Sequence, residues 1–277
     1  MGCLDASAVV PGLAPDGDAV VLNINGLSWS GMESSPCNLG GLEWHRIETF
    51  FTWVHDRGFN ALRVPFAARP LLSAVQPPSC RDRSMLVKYN LRLADLSYLD
   101  FLRRVVELAG QHGLLVMLDL HRIEEDATTK PSGSLEEHDA TALMQQAWRL
   151  LATELCDAAR YWNLFAVDLR NEPYSTHWGG RDDGERWDTA AGRLGDLVLG
   201  LCPRLLIVVE GVAGSVEHVD PESGDKTYTA AVDGKSDLKN VGTWCAHRRG
   251  GAEPRPRMHA HLSHAHLSHA YLSHAHL

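Results

Sequence analysis

A chain of 277 residues that is 44% hydrophobic can bury a sizeable core in one or two domains, so disorder is not its default state. Its formal net charge of −9, with no clustering of basic residues in the patterned part, argues against a nucleic-acid surface and suits a neutral or sugar ligand. No run approaches the roughly 18 to 20 apolar residues of a membrane span, so no membrane partner is expected.

Residues 20–24 read as a strand after the turn Pro15-Asp16-Gly17-Asp18, and Val9-Val10 before that turn can pair with it in a small hairpin. A loop with Trp29, Gly31 and Cys37 follows. Over residues 43–57, Trp44, Ile47, Phe50, Phe51 and Val54 recur at helical spacing, and Gly58 stands where a C-terminal cap belongs. A strand over 59–65 comes next. A long loop over 69–83 leads to a helix over 96–112, with Leu99, Leu102, Val106, Leu108 and Ala109 inward and Gly113 at its end. The pattern continues with a strand over 114–120, a helix over about 136–160 and a strand from Leu164. A loop rich in Trp and Asp, a helix over 185–201 and a fifth strand over 205–210 complete it. Strict alternation implies parallel strands joined by right-handed crossovers. An open Rossmann-like sheet and a (β/α)8 TIM barrel both satisfy it. No GxGxxG follows the first strand, and polar strand ends are spread over four strands, which favours the barrel.

Those ends carry the chemistry. In LFAVDLRNEP, residues 164–173, an apolar run buried on both faces stops at Asn171 and Glu172, and Pro173 has no N–H to extend the ladder. Glu172 therefore stands at the C-terminal end of a strand, where ligands and catalytic groups collect in α/β folds. Taken alone, such a Glu is as easily a solvated loop residue or a helix cap. Two further runs shift the balance: residues 114–120 close on His121 and Arg122, and the 59–65 strand carries Arg63 inside it. Strand ends bearing His, Arg and Asn-Glu point to one convergent site. The structural alternatives stay open, a buried ion pair for Arg63 and a satisfied core imidazole for His121.

Taken in order, LNINGLSWSG (22–31), FNALRVPF (59–66), LLVMLDLHR (114–122) and VDLRNEP (167–173) resemble the strand ends of glycoside hydrolase family 5, the cellulase-like endoglucanases and their relatives. The likeness covers roughly residues 9–214. It implies a (β/α)8 barrel acting on β-linked polysaccharide by a retaining mechanism, with Glu172 as general acid/base and Asn171 on the sugar 2-hydroxyl. It also implies that Arg63 and His121 support the catalytic carboxylates and that Trp29 is a sugar platform. Trp178 and Trp187 are further candidates for stacking on sugar, although a lone loop Trp is as often local packing. The residue types suit the chemistry: one carboxylic acid protonates the leaving oxygen, and in retaining enzymes a second carboxylate about 5 to 5.5 Å away is the nucleophile. No cofactor is implied, and a monomer is expected.

In the family the nucleophile is a Glu ending the seventh strand, and no such segment is legible here. Five strand–helix units are expected within residues 1–214, an unpatterned segment over 215–258, and over 259–277 a His-rich tail of period five, HAHLS repeated. That period fits neither helix nor strand, so the tail reads as low-complexity sequence ahead of metal capture by His-x-His pairs. Glu210 ends the strand next to that of Glu172 rather than facing it across the barrel mouth, and Glu217, Glu222 and Glu253 lie in unpatterned sequence, so none is a strong substitute. The expectation is a family member that has lost activity, with a non-catalytic carbohydrate-binding remnant as the alternative.

The six cysteines show no CxxC spacing, so no metal site is expected. Cys156 falls on a helical pattern, as a buried rather than reactive thiol. Cys37 and Cys80 both fall in loops after strands, where a disulfide across one face of the fold is an open pairing. The first residues show no basic segment followed by an apolar one, so no secretory leader is expected, and the compartment stays unassigned. Met1-Gly2 begins like an acylation site, but Ala6 stands where Ser or Thr is needed.

Overall fold

A computed structural model describes residues 9–10, 20–21, 23–125, 140–173, 176, 186–212, 215–219 and 226–230. The elements in chain order are β1 (Val9–Val10), β2 (Val20–Val21), β3 (Gly26–Ser28), α1 (Ile47–Asp56), β4 (Ala61–Ala67), α2 (Ala68–Leu72), α3 (Pro78–Arg81), a 3₁₀ turn (Ser84–Leu86), α4 (Val87–Ala94) and α5 (Tyr98–Gln111). They continue with β5 (Leu115–Arg122), α6 (Ala140–Glu154), β6 (Leu164–Asp168), α7 (Trp187–Leu201), β7 (Leu206–Val208), β8 (Ser215–Val219) and β9 (Lys226–Ala230).

β3 to β7 form a five-stranded parallel sheet in sequential order. A doubly wound sheet reverses its strand order at a switch point; a barrel adds each strand beside the last. The sequential order therefore identifies five consecutive units of a (β/α)8 barrel, as the alternation of elements anticipates. β1 and β2 pair antiparallel, as the turn between them predicts.

Two stretches differ from the sequence reading. The long loop expected over 69–83 contains α2 and α3, and α4 precedes α5. The backbone of Asn90 leaves the helical region within α4 (φ −135°), and its buried amide donates to Leu42 O (2.7 Å) and His45 O (2.8 Å) and accepts from Ile47 N (2.9 Å). A side chain so engaged breaks the apolar periodicity that would have announced the helix. β8 and β9, expected to be unpatterned, pair antiparallel. The His-rich tail lies outside the described residues.

Because successive strand residues face opposite ways, the sheet has two distinct faces. Leu62, Val64, Phe66, Val116, Leu118, Leu120, Leu164, Val167 and Ile207 belong to the large core shared with the helices. The other face carries a separate small cluster of Met117, Ala166 and Val208 with Phe165 and Leu206 against it. α5 shows how the helices are bounded: the Ser97 hydroxyl accepts from Asp100 N (3.1 Å) at the start, and Gly113 takes a positive φ (+73°) beyond the end. Cys37–Cys80 is a disulfide with a Cα–Cα distance of 5.0 Å, and Cys156–Cys202 is a second at 5.4 Å. The sequence marks Cys156 only as a buried thiol and gives no sign of the second pairing.

Opposite the strand ends, one guanidinium ties three segments together. Arg204 donates to Leu155 O (2.9 Å), Cys156 O (3.1 Å), Tyr161 O (2.9 Å) and Leu164 O (2.6 Å), satisfying carbonyls between α6 and β6. Removing the donor strands these acceptors, so Arg204→Met is expected to lower unfolding free energy by about 2 to 4 kcal/mol in urea titrations followed by far-UV circular dichroism.

Candidate active site

The strand register explains why the polar groups meet. Pro65, Asp119 and Asp168 are lateral partners across β4, β5 and β6, and Arg63 lies two pairs earlier beside Met117. In parallel strands, lateral partners share a face, and residues two apart on one strand share it too. Arg63, Asp119, His121 and Asp168 are thus on the inner face, and Glu210 follows just beyond β7.

The centre of the site is Arg63, only 8% exposed. Its Nη2 lies 3.1 Å from Asp119 Oδ2, 3.0 Å from Asp168 Oδ2, 3.0 Å from Glu210 Oε1 and 2.8 Å from Asn171 Oδ1. The same Asp119 oxygen is 2.6 Å from His121 Nδ1, which fixes the plane of the imidazole. Asn171 N donates to Leu120 O (3.1 Å), and Glu172 N donates to Glu210 Oε2 (2.9 Å). Arg170, 2% exposed, donates to His121 O (2.6 Å) and so holds the end of β5 from the neighbouring strand.

One fully charged guanidinium cannot neutralise three buried carboxylates, and their proton affinities divide accordingly. Burial opposes ionisation of Asp119, but Arg63, His121 and Arg170 outweigh it and hold the carboxyl below the usual carboxylate range. Asp168 moves the other way: burial raises it first, then the neighbouring Asp119 charge, with Arg63 only partly offsetting them. Glu210 is pushed up to about 9, by burial first and then by the charge of Asp168 and a hydrogen bond with it. Burial and mutual repulsion thus favour the protonated form at both Asp168 and Glu210. Arg63 itself is held protonated above its ordinary value by the three carboxylates, although burial opposes this. Asp119 Oδ1, Asp168 Oδ1 and Arg63 Nε are buried without a hydrogen-bond partner among the described residues.

Four of the residues singled out in the sequence come together here: Arg63 touches Asn171 directly, His121 joins through Asp119, and Glu172 follows Asn171 at an exposed position. The aromatic candidates fare differently. Trp29 is 4% exposed, its ring stacked at 3.6 Å on Phe50 and its indole N–H donated to Gly40 O (2.8 Å), a packing position rather than a free sugar platform. Trp187 is fully buried and donates its N–H to Glu210 O (2.8 Å), so it supports the site from below. Trp178 lies outside the described residues. Sequence reasoning misses Asp119, Asp168 and Arg170, although each stands in a quoted strand, and period two from His121 marks Asp119. Among the described residues, no three His, Cys, Asp or Glu side chains are grouped to hold a metal ion.

Comparison with known proteins places the chain in a family. A family model described as cellulase (glycosyl hydrolase family 5) matches residues 16–262. An endoglucanase of Paenibacillus polymyxa is 30% identical over 202 residues, 70% of this chain and 46% of that protein. The major extracellular endoglucanase of Xanthomonas campestris is 30% identical over 201 residues, 71% of this chain and 39% of that protein. Among solved structures, a hyperthermophilic endocellulase of Pyrococcus horikoshii superposes with a TM-score of 0.61 at 27% identity, over 71% of this chain and 53% of the other. The chain thus spans less than half the length of these two curated relatives and about half of the solved one.

The raised Glu210 makes folding pH-dependent. Between the ordinary value of 4.5 and about 9 the folded protein keeps a proton that the unfolded chain has released. Stability is therefore expected to fall as pH rises through that window, by up to about 1.4 kcal/mol per pH unit, and Glu210→Gln should flatten the slope in urea titrations at a series of pH values.

Proposed function

Because the chain belongs to the cellulases of glycosyl hydrolase family 5, we propose that the strand-end face of its barrel binds β-linked glucan and that Glu172 is the acid/base of a retaining hydrolysis. The observation that carries this reading is the place of Glu172: it is exposed at the end of β6, directly after Asn171, whose amide oxygen is held 2.8 Å from Arg63. An acid/base must reach solvent and substrate, while the groups that orient it are best buried and fixed. In this reading Asn171 hydrogen-bonds the sugar 2-hydroxyl next to the scissile bond. Arg63 and the Asp119–His121 pair preserve the shape and charge of the floor beneath. The substrate class is supported by the endoglucanase relatives and by the Pyrococcus horikoshii endocellulase, which has been solved with cellotetraose.

A retaining mechanism needs a second carboxylate as nucleophile. Asp119, Asp168 and Glu210 all lie against Arg63 and form the floor of the site. That engagement favours a second reading, in which the chain binds glucan without cleaving it. Release of reducing sugar from soluble β-glucan separates the two. Hydrolysis reduced about a hundredfold or more in Glu172→Gln supports the acid/base role. Saturable oligosaccharide binding without turnover in either form supports the binding reading, and equal non-zero rates remove Glu172 from the mechanism.

A further inference from the structure

We infer that Glu210 is a positioning residue for Glu172: its carboxyl accepts the Glu172 backbone N–H and thereby holds the left-handed backbone from which the acid/base side chain departs. This rests on the reading of Glu172 as acid/base. Glu172 has φ +41°, one of two positive values among the described non-glycine residues. That region is disfavoured for a residue with a Cβ, and a residue before proline, here Pro173, is ordinarily pushed toward extended backbone. Such a conformation persists only where its surroundings over-determine it. The preceding Asn171 is fixed twice, by its N–H on Leu120 O (3.1 Å) and its amide on Arg63 (2.8 Å). At Glu172 the hydrogen bond to Glu210 Oε2, 2.9 Å, takes over that task from the next strand.

Glu210 can do this because it is itself immobilised. Its carbonyl accepts the Trp187 indole N–H (2.8 Å), and its Oε1 meets Arg63 Nη2 (3.0 Å). The charged and titratable groups facing it are Arg63 of β4, Asp119 of β5, and Asp168 and Glu172 on and beyond β6; the α7 residue that meets it, Trp187, is neutral. With both carboxyl oxygens engaged, Glu210 is placed to orient a neighbour rather than to attack a sugar carbon.

Backbone amide exchange in the full chain, followed by ¹H–¹⁵N NMR, tests this without requiring turnover. Glu210→Ala should speed exchange of the Glu172 amide about tenfold or more, the loss of one hydrogen bond, while the Asn171 amide changes little. Glu210→Gln, whose amide oxygen can still accept, should restore protection. Unchanged Glu172 exchange in Glu210→Ala overturns the inference, as does loss of protection in Glu210→Gln equal to that in Glu210→Ala. If Glu210→Ala does not fold, the unsubstituted chain decides: the Glu172 amide shift should follow the Glu210 carboxyl with a common midpoint above pH 7, and no common midpoint overturns the inference. Failure of the acid/base reading would appear separately, as β-glucan hydrolysis unaffected by Glu172→Gln.

Discussion

The guanidinium of Arg63 is the interaction on which the site depends. Taken into a barrel interior, a charge survives only when it is paired and hydrogen-bonded. Here pairing is excessive in the opposite direction, since Asp119, Asp168 and Glu210 all converge on one nitrogen. The surplus negative charge is relieved by a retained proton on the Asp168–Glu210 side and by Arg170 and His121 on the Asp119 side. Proton affinity thus divides across neighbouring strands, lowered at Asp119, which faces Arg63, His121 and Arg170, and raised at Asp168 and Glu210, where burial and neighbouring carboxylates outweigh Arg63.

Much of this is legible in the amino-acid sequence. The alternation of elements gives a parallel α/β sheet, and residues 59–66, 114–122 and 164–173 give strands whose ends carry Arg63, His121, Asn171 and Glu172. These features are readable because a polar residue in a β-branched or apolar run is locally conspicuous. What cannot be read depends on distance in three dimensions. Nothing local to Trp29 says that Phe50, across a loop and a helix turn, lies on its face, and nothing local to Trp187 says that its N–H finds the carbonyl of Glu210. Glu210 shows the same limit most clearly. Its strand end is visible, but its hydrogen bond to the Glu172 backbone arises from the register between β6 and β7.

The buried polar residues away from the site follow one rule, that long-range closure is made by side chains meeting backbone. Asn90 gathers the loop ahead of α1, Asn163 donates to Val106 O (2.9 Å) and Leu114 O (3.0 Å), and Arg204 gathers the chain between α6 and β6. In each case a polar side chain meets backbone carbonyls from distant parts of the chain. The frame beneath the strand-end loops is thus pinned from within. The two disulfides reinforce the same frame, each joining residues more than forty positions apart.

The lateral pairing of Asp119 with Asp168 has a consequence for assembly of the sheet itself. A parallel strand that slips by one residue exchanges its two faces. Such a slip of β6 would drive the carboxyl of Asp168 into the large apolar core to which Val167 belongs, and would bring Val167 to the guanidinium in its place. A hydrophobic strand such as LFAV offers little to tell its correct alignment from a neighbouring one, because either face can be buried. The acidic residue supplies that distinction, so the group that sets the charge of the site also proofreads how the strands come together.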